Sequence, residues 1–577
     1  MSRFFTKFLI FFLLGSACVG LTQKRVALAQ EQFETQYNIV YNVQPSGEAQ
    51  ITQNIVIINK QKDVLVTNYI LTVKQMEIYD VTASDKKDRL DVDIKSQDNE
   101  TVVKVMLKNQ AIGEGKKNEI KLAYKSKQIA GKIGEIWNIN IPPVETSQST
   151  SVYNVELNVP AEFGPKIFVS PTPNTEKDHY FKFDKDSING KSISASYGKY
   201  QVVNFSLKYD LKNNLWLPVF QEIALPPQIF DRQQILYKSL NPKPHHMRTD
   251  ADGNILAVYR LNPKQELNIT LVGSARLLGT QIDPQKSGKM AELSPKLIKD
   301  YTQAQKYWKV NAPEIQNLAK ELFDPNKTVA QNAQTAYDYI TKNLRYNFDI
   351  IKEDFVERQG ALTALTNPTG SWACMEFTDL FIALTRAMGI PARELDGYAF
   401  STAENITPLS INLKNGDLLH AWPEFYDPVY GWTAVDPTWG STSGIDYFTK
   451  LDTSHFVFSV KGLNSEYPFP AGAYRFDNSG KQVEVDFAQD GAFGDEFRDG
   501  IKVEKMININ PYYIFKGYQK YKITNLGGTI LYNLNGTKKT LLPFDSESIY
   551  ISKQMQKINY KDFNDNEKDF VFRASAV

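Results

Sequence analysis

The stretch from Gly370 to Gly440 constrains this chain more than any other part of it. It opens on Gly370-Ser371-Trp372-Ala373-Cys374-Met375-Glu376-Phe377 and runs into an apolar stripe. Phe377, Phe381, Leu384 and Met388 recur at three- or four-residue steps, with Leu380 beside them. That spacing predicts one helix with Cys374 in its first turn, stopped by Gly389 and Pro391. A thiol so placed meets unpaired backbone N–H groups and the positive end of the helix dipole. Both favour the thiolate, which is the reactive form. Gly370 suits a tight turn with close backbone approach.

After a loop, residues 418–426 and 432–436 read as two strands rich in aromatic and branched side chains, with Asp427-Pro428-Val429-Tyr430-Gly431 as the turn. A hairpin paired about position 428 sets Glu424 opposite Trp432, Trp422 opposite Ala434 and His420 opposite Asp436. Opposed residues have Cβ atoms roughly 4.5–5.5 Å apart. At that distance a carboxylate accepts from one imidazole nitrogen and leaves the other to a thiol. Cys374, His420 and Asp436 are therefore candidates for nucleophile, base and the group that orients the base. Each alone has a blander reading: a small buried hydrophobe, a satisfied structural histidine, and a turn or cap.

Taken together and in order, three motifs carry a resemblance: Cys374 through Arg393 to Gly397-Tyr398, then His420-Ala421-Trp422-Pro423-Glu424, then Gly431 to Thr438. From about 300 to 465 the chain resembles the bacterial transglutaminase-like superfamily, whose core is of the papain-like cysteine-protease type. The resemblance implies an α+β catalytic core with Cys374 as nucleophile, His420 as base and Asp436 as orienting acid. It further implies thiol-dependent acyl chemistry on an amide of a protein or peptide substrate, a cell-envelope protein among the candidates. It leaves open whether an amine (crosslinking) or water (deamidation or proteolysis) resolves the thioester. Trp372 is a candidate pocket wall or oxyanion donor, with plain packing as the competing reading. The rival class is a catalytically inactive exported binding or adhesion protein on the same fold.

Composition excludes more than it assigns. With 66 basic and 65 acidic residues and a formal charge of +1, nothing favours nucleic acid or a polybasic membrane surface. His179, His245 and His246 lack carboxylate or thiol partners at ligand spacing, so no metal site and no cofactor are expected. His455 is a second imidazole near the candidate site in sequence, and its expected role is structural. No pattern bears on oligomeric state.

At the N-terminus, Arg3 and Lys7 precede an apolar run from Phe8 to Leu21, and Ala27-Leu28-Ala29 offers small residues for cleavage. The run is about 14 residues, short of the roughly 20 that span a bilayer. Residues 1–29 are read as a signal peptide, an uncleaved anchor or lipid attachment at Cys18 being the alternatives. The expected location is extracytoplasmic, secreted or at the cell surface, since no later stretch is apolar enough for a membrane helix. Loss of Cys18 with the signal leaves Cys374 alone, and a lone thiol in an oxidising compartment is a liability unless it is used.

The expected fold class is multidomain and mainly β around the α+β core. Two N-terminal β-sandwich-like modules are placed at 30–145 and 146–288, on alternations such as Tyr37-Ile39-Tyr41-Val43 and Tyr153-Val155-Leu157-Val159. The core follows at 289–465, opened by Ser294-Pro295 as cap and first turn. A linker is expected at 466–498 and an immunoglobulin-like β domain at 499–577.

Overall fold

The structure is a computed structural model that describes residues 32–74, 76–97, 100–142, 149–349, 357–370, 372–399, 411–413, 417–476, 480–488, 500–536, 539–552, 557–561 and 566–572. The expected signal, with Cys18, lies outside the described residues, as do Ser371 and residues 143–148, where a boundary was expected. Strands hold 46% and helices 17% of the residues, which meets the mainly β expectation. The chain divides into two compact units, one of residues up to 133 together with 137–198, the other of 134–136 together with 199–577.

In the first unit the alternation does what period-2 patterning predicts. Ile39, Tyr41 and Val43 turn inward, Gly47 closes the turn at φ +87°, and Ile51, Ile55 and Ile57 follow on the same face. Phe33–Val43 pairs antiparallel with Ala49–Asn59 on one side and parallel with Thr150–Asn158 on the other. The resulting ten-stranded sheet shares a core with a four-stranded one, in which Leu122, Phe181, Phe183 and Tyr197 are buried. The division expected at 145 thus falls inside this unit. Tyr153, Val155 and Leu157 stand in register with Tyr37, Ile39 and Tyr41, so the later strand completes the face the first one began.

In the second unit, Gln201–Lys212 sits between Glu266–Leu277 and Val483–Phe487 in a four-stranded sheet. The stretch expected as a linker, 466–498, therefore supplies an edge strand. Val483 is buried opposite Leu207, an alternation too short to stand out among the surrounding Gly and Asp. Towards the C-terminus, Ile501–Lys505, Tyr518–Asn525 and Ser546–Ser552 form a three-stranded sheet, and Lys557–Lys561 pairs with Glu567–Val571. Ile523, Leu531, Ile551 and Ile558 make their core.

Between these lies the part that positions the site. Pro295–Tyr301 is a helix with Ser294 in the cap position and proline in its first turn. Helix α1 (Val329–Asn343) is started by a reciprocal cap, in which Thr328 Oγ1 accepts from Gln331 N while Gln331 Oε1 accepts from Thr328 N. It buries Ala333, Ala336, Tyr337 and Ile340. Helix α2 (Cys374–Ala387) buries Phe377, Leu380, Phe381 and Leu384 and stops at Gly389, whose φ is +85°. A five-stranded antiparallel sheet comprises β1 (Ala392–Ala399), β2 (Asp417–Asp427), β3 (Gly431–Ala434), β4 (His455–Lys461) and the short strand Ile411–Leu413. Strand β1 lies between β2 and β4, and β3 pairs with β2. Helix α3 (Pro437–Ser443) follows β3.

Candidate active site

Cys374 is the first residue of α2, buried and not disulfide-bonded. The helix start has no side-chain cap from Ala373. Glu376, one turn in, reaches back instead: its carboxylate accepts from Ala373 N at 3.1 Å and from Gln359 N at 2.8 Å. Burial pushes the Glu376 carboxyl up, against these backbone donors and the Arg358 charge. One turn on from Cys374, Thr378 Oγ1 donates to Ala421 O at 3.1 Å, which ties α2 to β2 beside His420. Trp372 is buried, and its Nε1 has no partner among the described residues. Gly370 admits that indole, because a Cβ there would lie 2.4 Å from Trp372 Cζ2.

The hairpin differs in register from the expectation. Glu424 pairs with Ala434, Tyr426 with Trp432 and Asp427 with Gly431, so the hairpin is centred one position later. The turn chemistry explains the shift. Asp427 Oδ1 accepts from the backbone N–H of Val429 and Tyr430, and Gly431 takes φ +72°, which makes it the closing residue. Strand β3 then ends at Ala434, and Asp436 is not opposite His420 on a strand but is the N-cap of α3.

Asp436 nevertheless reaches His420, because a capping aspartate uses one oxygen for the helix and has a second to spare. Its Oδ1 accepts from Thr438 N at 2.9 Å and Trp439 N at 3.0 Å, and its Oδ2 lies 3.0 Å from His420 Nε2. Tyr337 of α1 donates to the Asp436 carbonyl at 3.3 Å, an approach open only because position 440 is glycine: a Cβ there would lie 1.9 Å from the tyrosine oxygen. The His420 ring lies between Trp422 and Trp439, with centroids 5.6 and 5.4 Å away and planes 22° and 23° apart. Burial would raise the Asp436 carboxyl, but His420 and His455 outweigh it and hold it well below the usual range. An ionised Asp436 only accepts, so His420 carries its proton on Nε2 and presents Nδ1 as its basic nitrogen. Burial pushes the His420 ring down, more than the Asp436 charge lifts it.

His455 is closer to this pair than its sequence position suggested. Its Nε2 lies 3.3 Å from the same Asp436 Oδ2, and its Nδ1 lies 3.1 Å from Asp452 Oδ1. Asp452 also accepts from Tyr447 Oη and Ser454 N, each at 2.9 Å. His420, Asp436 and His455 form the one candidate metal group among the described residues, their ligand atoms within 4.8 Å of one another. Two N–H···O bonds satisfy the same atoms without a metal. Sequence reading also missed a buried ionic network behind α2: Arg358 bridges Asp379 and Glu394, and Trp308 Nε1 donates to Asp379 at 2.8 Å. Asp379, two residues from Phe377, had no signal beyond being a charge on an apolar helix face.

This arrangement falls in a region shared with known proteins. Residues 316–437 match the model of the transglutaminase-like superfamily, so this part of the chain is a transglutaminase-like core. The match contains Trp372, Cys374, His420 and Asp436 and ends before His455. Over 166 residues the chain is 28% identical to YebA, an uncharacterized protein of Bacillus subtilis. That alignment covers 27% of this chain and 21% of the relative, so the chain spans about a fifth of the relative's length. Among solved structures, it is similar to a candidate cysteine protease from Cytophaga hutchinsonii, at 18% identity and TM-score 0.32 over 50% of this chain and 99% of that one. It is similar also to the periplasmic domain of TgpA from Pseudomonas aeruginosa, at 15% identity and TM-score 0.23 over 43% and 92% of the two chains.

Proposed function

We propose that the protein is an exported thiol-dependent acyl-transfer enzyme acting on protein or peptide amides through Cys374, His420 and Asp436. The observation that carries this reading is the buried 3.0 Å contact between His420 Nε2 and Asp436 Oδ2, inside a transglutaminase-like core whose one cysteine starts a helix. In the reaction, His420 Nδ1 takes the thiol proton and the Cys374 sulfur adds to the amide carbonyl carbon. The oxyanion is held by backbone N–H groups at the start of α2, and the buried Trp372 Nε1 supports a part for that indole as a further donor. His420 then returns its proton to the leaving nitrogen, the C–N bond breaks and a thioester remains. An amine or water, deprotonated by His420, then adds to the thioester carbonyl carbon, the C–S bond breaks, and the Cys374 sulfur leaves and takes the proton back from His420. Asp436 keeps the imidazole in the tautomer with Nδ1 basic.

The β units carry no chemistry in this reading, and the strands after residue 500 are those of a small immunoglobulin-like module. Complete burial of Cys374, His420 and Asp436 favours a second reading, an exported binding or adhesion protein that keeps the fold without the reaction. Incubation of the protein with a glutamine-containing peptide and a labelled amine decides between them. Label incorporation, ammonia release or backbone cleavage that is lost in Cys374→Ala supports the enzyme and selects its branch. Absence of all three in the folded protein supports the second reading.

A further inference from the structure

His455 has a carboxylate oxygen at each of its ring nitrogens, 3.3 Å away on Asp436 and 3.1 Å away on Asp452. A neutral imidazole has a proton on one nitrogen only, and its other lone pair would then face an anion at hydrogen-bond distance. Both contacts are attractive only when both nitrogens carry protons. The ring is buried, so water does not relieve the mismatch. The geometry itself therefore specifies an imidazolium.

On that ground, and resting on the Cys374–His420–Asp436 reading, we propose that His455 is a positioning residue of the site. Held as a cation between Asp452 and Asp436, it fixes the Asp436 carboxylate towards His420 and keeps His420 an unprotonated base at mildly acidic pH. Asp436 Oδ2 is held from one side by His420 Nε2 at 3.0 Å and by His455 Nε2 at 3.3 Å, while Oδ1 is fixed by the start of α3. The carboxylate thus has no rotation left to it. Its charge is shared between two rings, so it draws a second proton onto His420 less strongly than a lone aspartate would.

The titratable groups facing His455 are Asp436 from the cap of α3, His420 from β2, and Tyr447 and Asp452 from the segment leading into β4, where Lys450 acts on Asp452 and lies over the Tyr447 ring. Trp422 and Trp439 cover the ring with centroids at 4.9 and 4.6 Å. Burial opposes charge on the ring, but the hydrogen bonds and charges of Asp436 and Asp452 outweigh it and raise its pKa to about 9. Burial lowers the nearby Lys450 to about 7, so it adds little positive charge above neutrality. The His455 charge contributes to holding the His420 pKa down.

The test is nitrogen NMR of the full chain labelled with 15N-histidine, its five rings assigned by His420→Gln and His455→Gln. At pH 7.5 the His455 ring is expected to carry protons on both nitrogens and the His420 ring on Nε2 only. In His455→Gln, which still donates to Asp436 but has no charge, the titration midpoint of His420 should move up by about one pH unit. Asp452→Asn keeps the ring and its volume and decides the matter should His455→Gln not fold. It should leave His455 neutral at pH 7.5 and move His420 in the same direction. A neutral His455 in the wild type, an unmoved His420 midpoint, or stoichiometric metal by elemental analysis overturns the inference. Failure of the triad reading shows separately, as alkylation of Cys374 that does not change in His420→Gln.

Discussion

At the residue scale, Asp436 has two oxygens facing four donors, and the prediction for it follows from that division of labour. Asp436→Asn keeps an acceptor for the α3 backbone but turns an amide towards two N–H groups that need an anion. Turnover of an amide substrate is expected to fall at least about a hundredfold, with residual activity above that of Cys374→Ala. Asp436→Ala removes the helix cap as well, and should lower stability by about 1 kcal/mol more, measured by denaturant unfolding. His455 makes a pH prediction of its own. Its folded pKa of about 9 lies above the ordinary 6.5, so the folded state holds this proton more tightly. The stabilisation is complete below pH 6.5, is lost as pH rises through 9, and amounts to about 3 kcal/mol. The stability difference between wild type and His455→Gln should therefore narrow between those limits, and a constant difference contradicts the assignment.

At the scale of elements, two glycines resist substitution for different reasons, one for lack of space and one for its φ. Gly397 of β1 lies at a register shift between Asp396 and the facing β4, and a Cβ there would come 1.9 Å from the Phe456 carbonyl oxygen. Gly397→Ala should cost about 3 kcal/mol, because backbone cannot step aside as a side chain can. Gly431→Ala meets nothing within 4 Å and has only its left-handed φ to strain, so about 1 kcal/mol is expected. Comparing the two by denaturant midpoint tests whether β1 is held as tightly as its place beside His420 requires. The helix of Cys374 was legible because its apolar stripe, its glycine stop and its length all agree. The hairpin was legible as a hairpin but not in its register, since the choice between closing at Tyr426 or Asp427 lies in an aspartate-capped turn and the φ of Gly431. His455 was unreadable as a partner of Asp436 because that contact, unlike the local one to Asp452 three residues earlier, forms only when the fold brings β4 to the N-cap of α3.

For the whole molecule, the sequence indicated β units around a mixed core, but not how the strands are shared. Thr150–Asn158 belongs with Phe33–Val43, and Val483–Phe487 belongs with Gln201–Lys212, pairings of long separation that local patterning does not record. A chain ended after Gly462 should accordingly lose stability beyond the C-terminal strands themselves, since it uncovers the edge holding Val203 and Leu207. A truncated chain that melts as the full chain does contradicts that pairing. The central claim is that neutral His420 acts as the base that takes the Cys374 proton as the sulfur attacks. The rate at which iodoacetamide alkylates Cys374 in the folded chain, followed by peptide mass from pH 5 to 10, tests it most directly. The account predicts labelling that persists well below the ordinary thiol range near pH 8.5 and moves up towards it in His420→Gln. A thiol that stays inert while the protein is folded, or that titrates near pH 8.5 in both proteins, would contradict it.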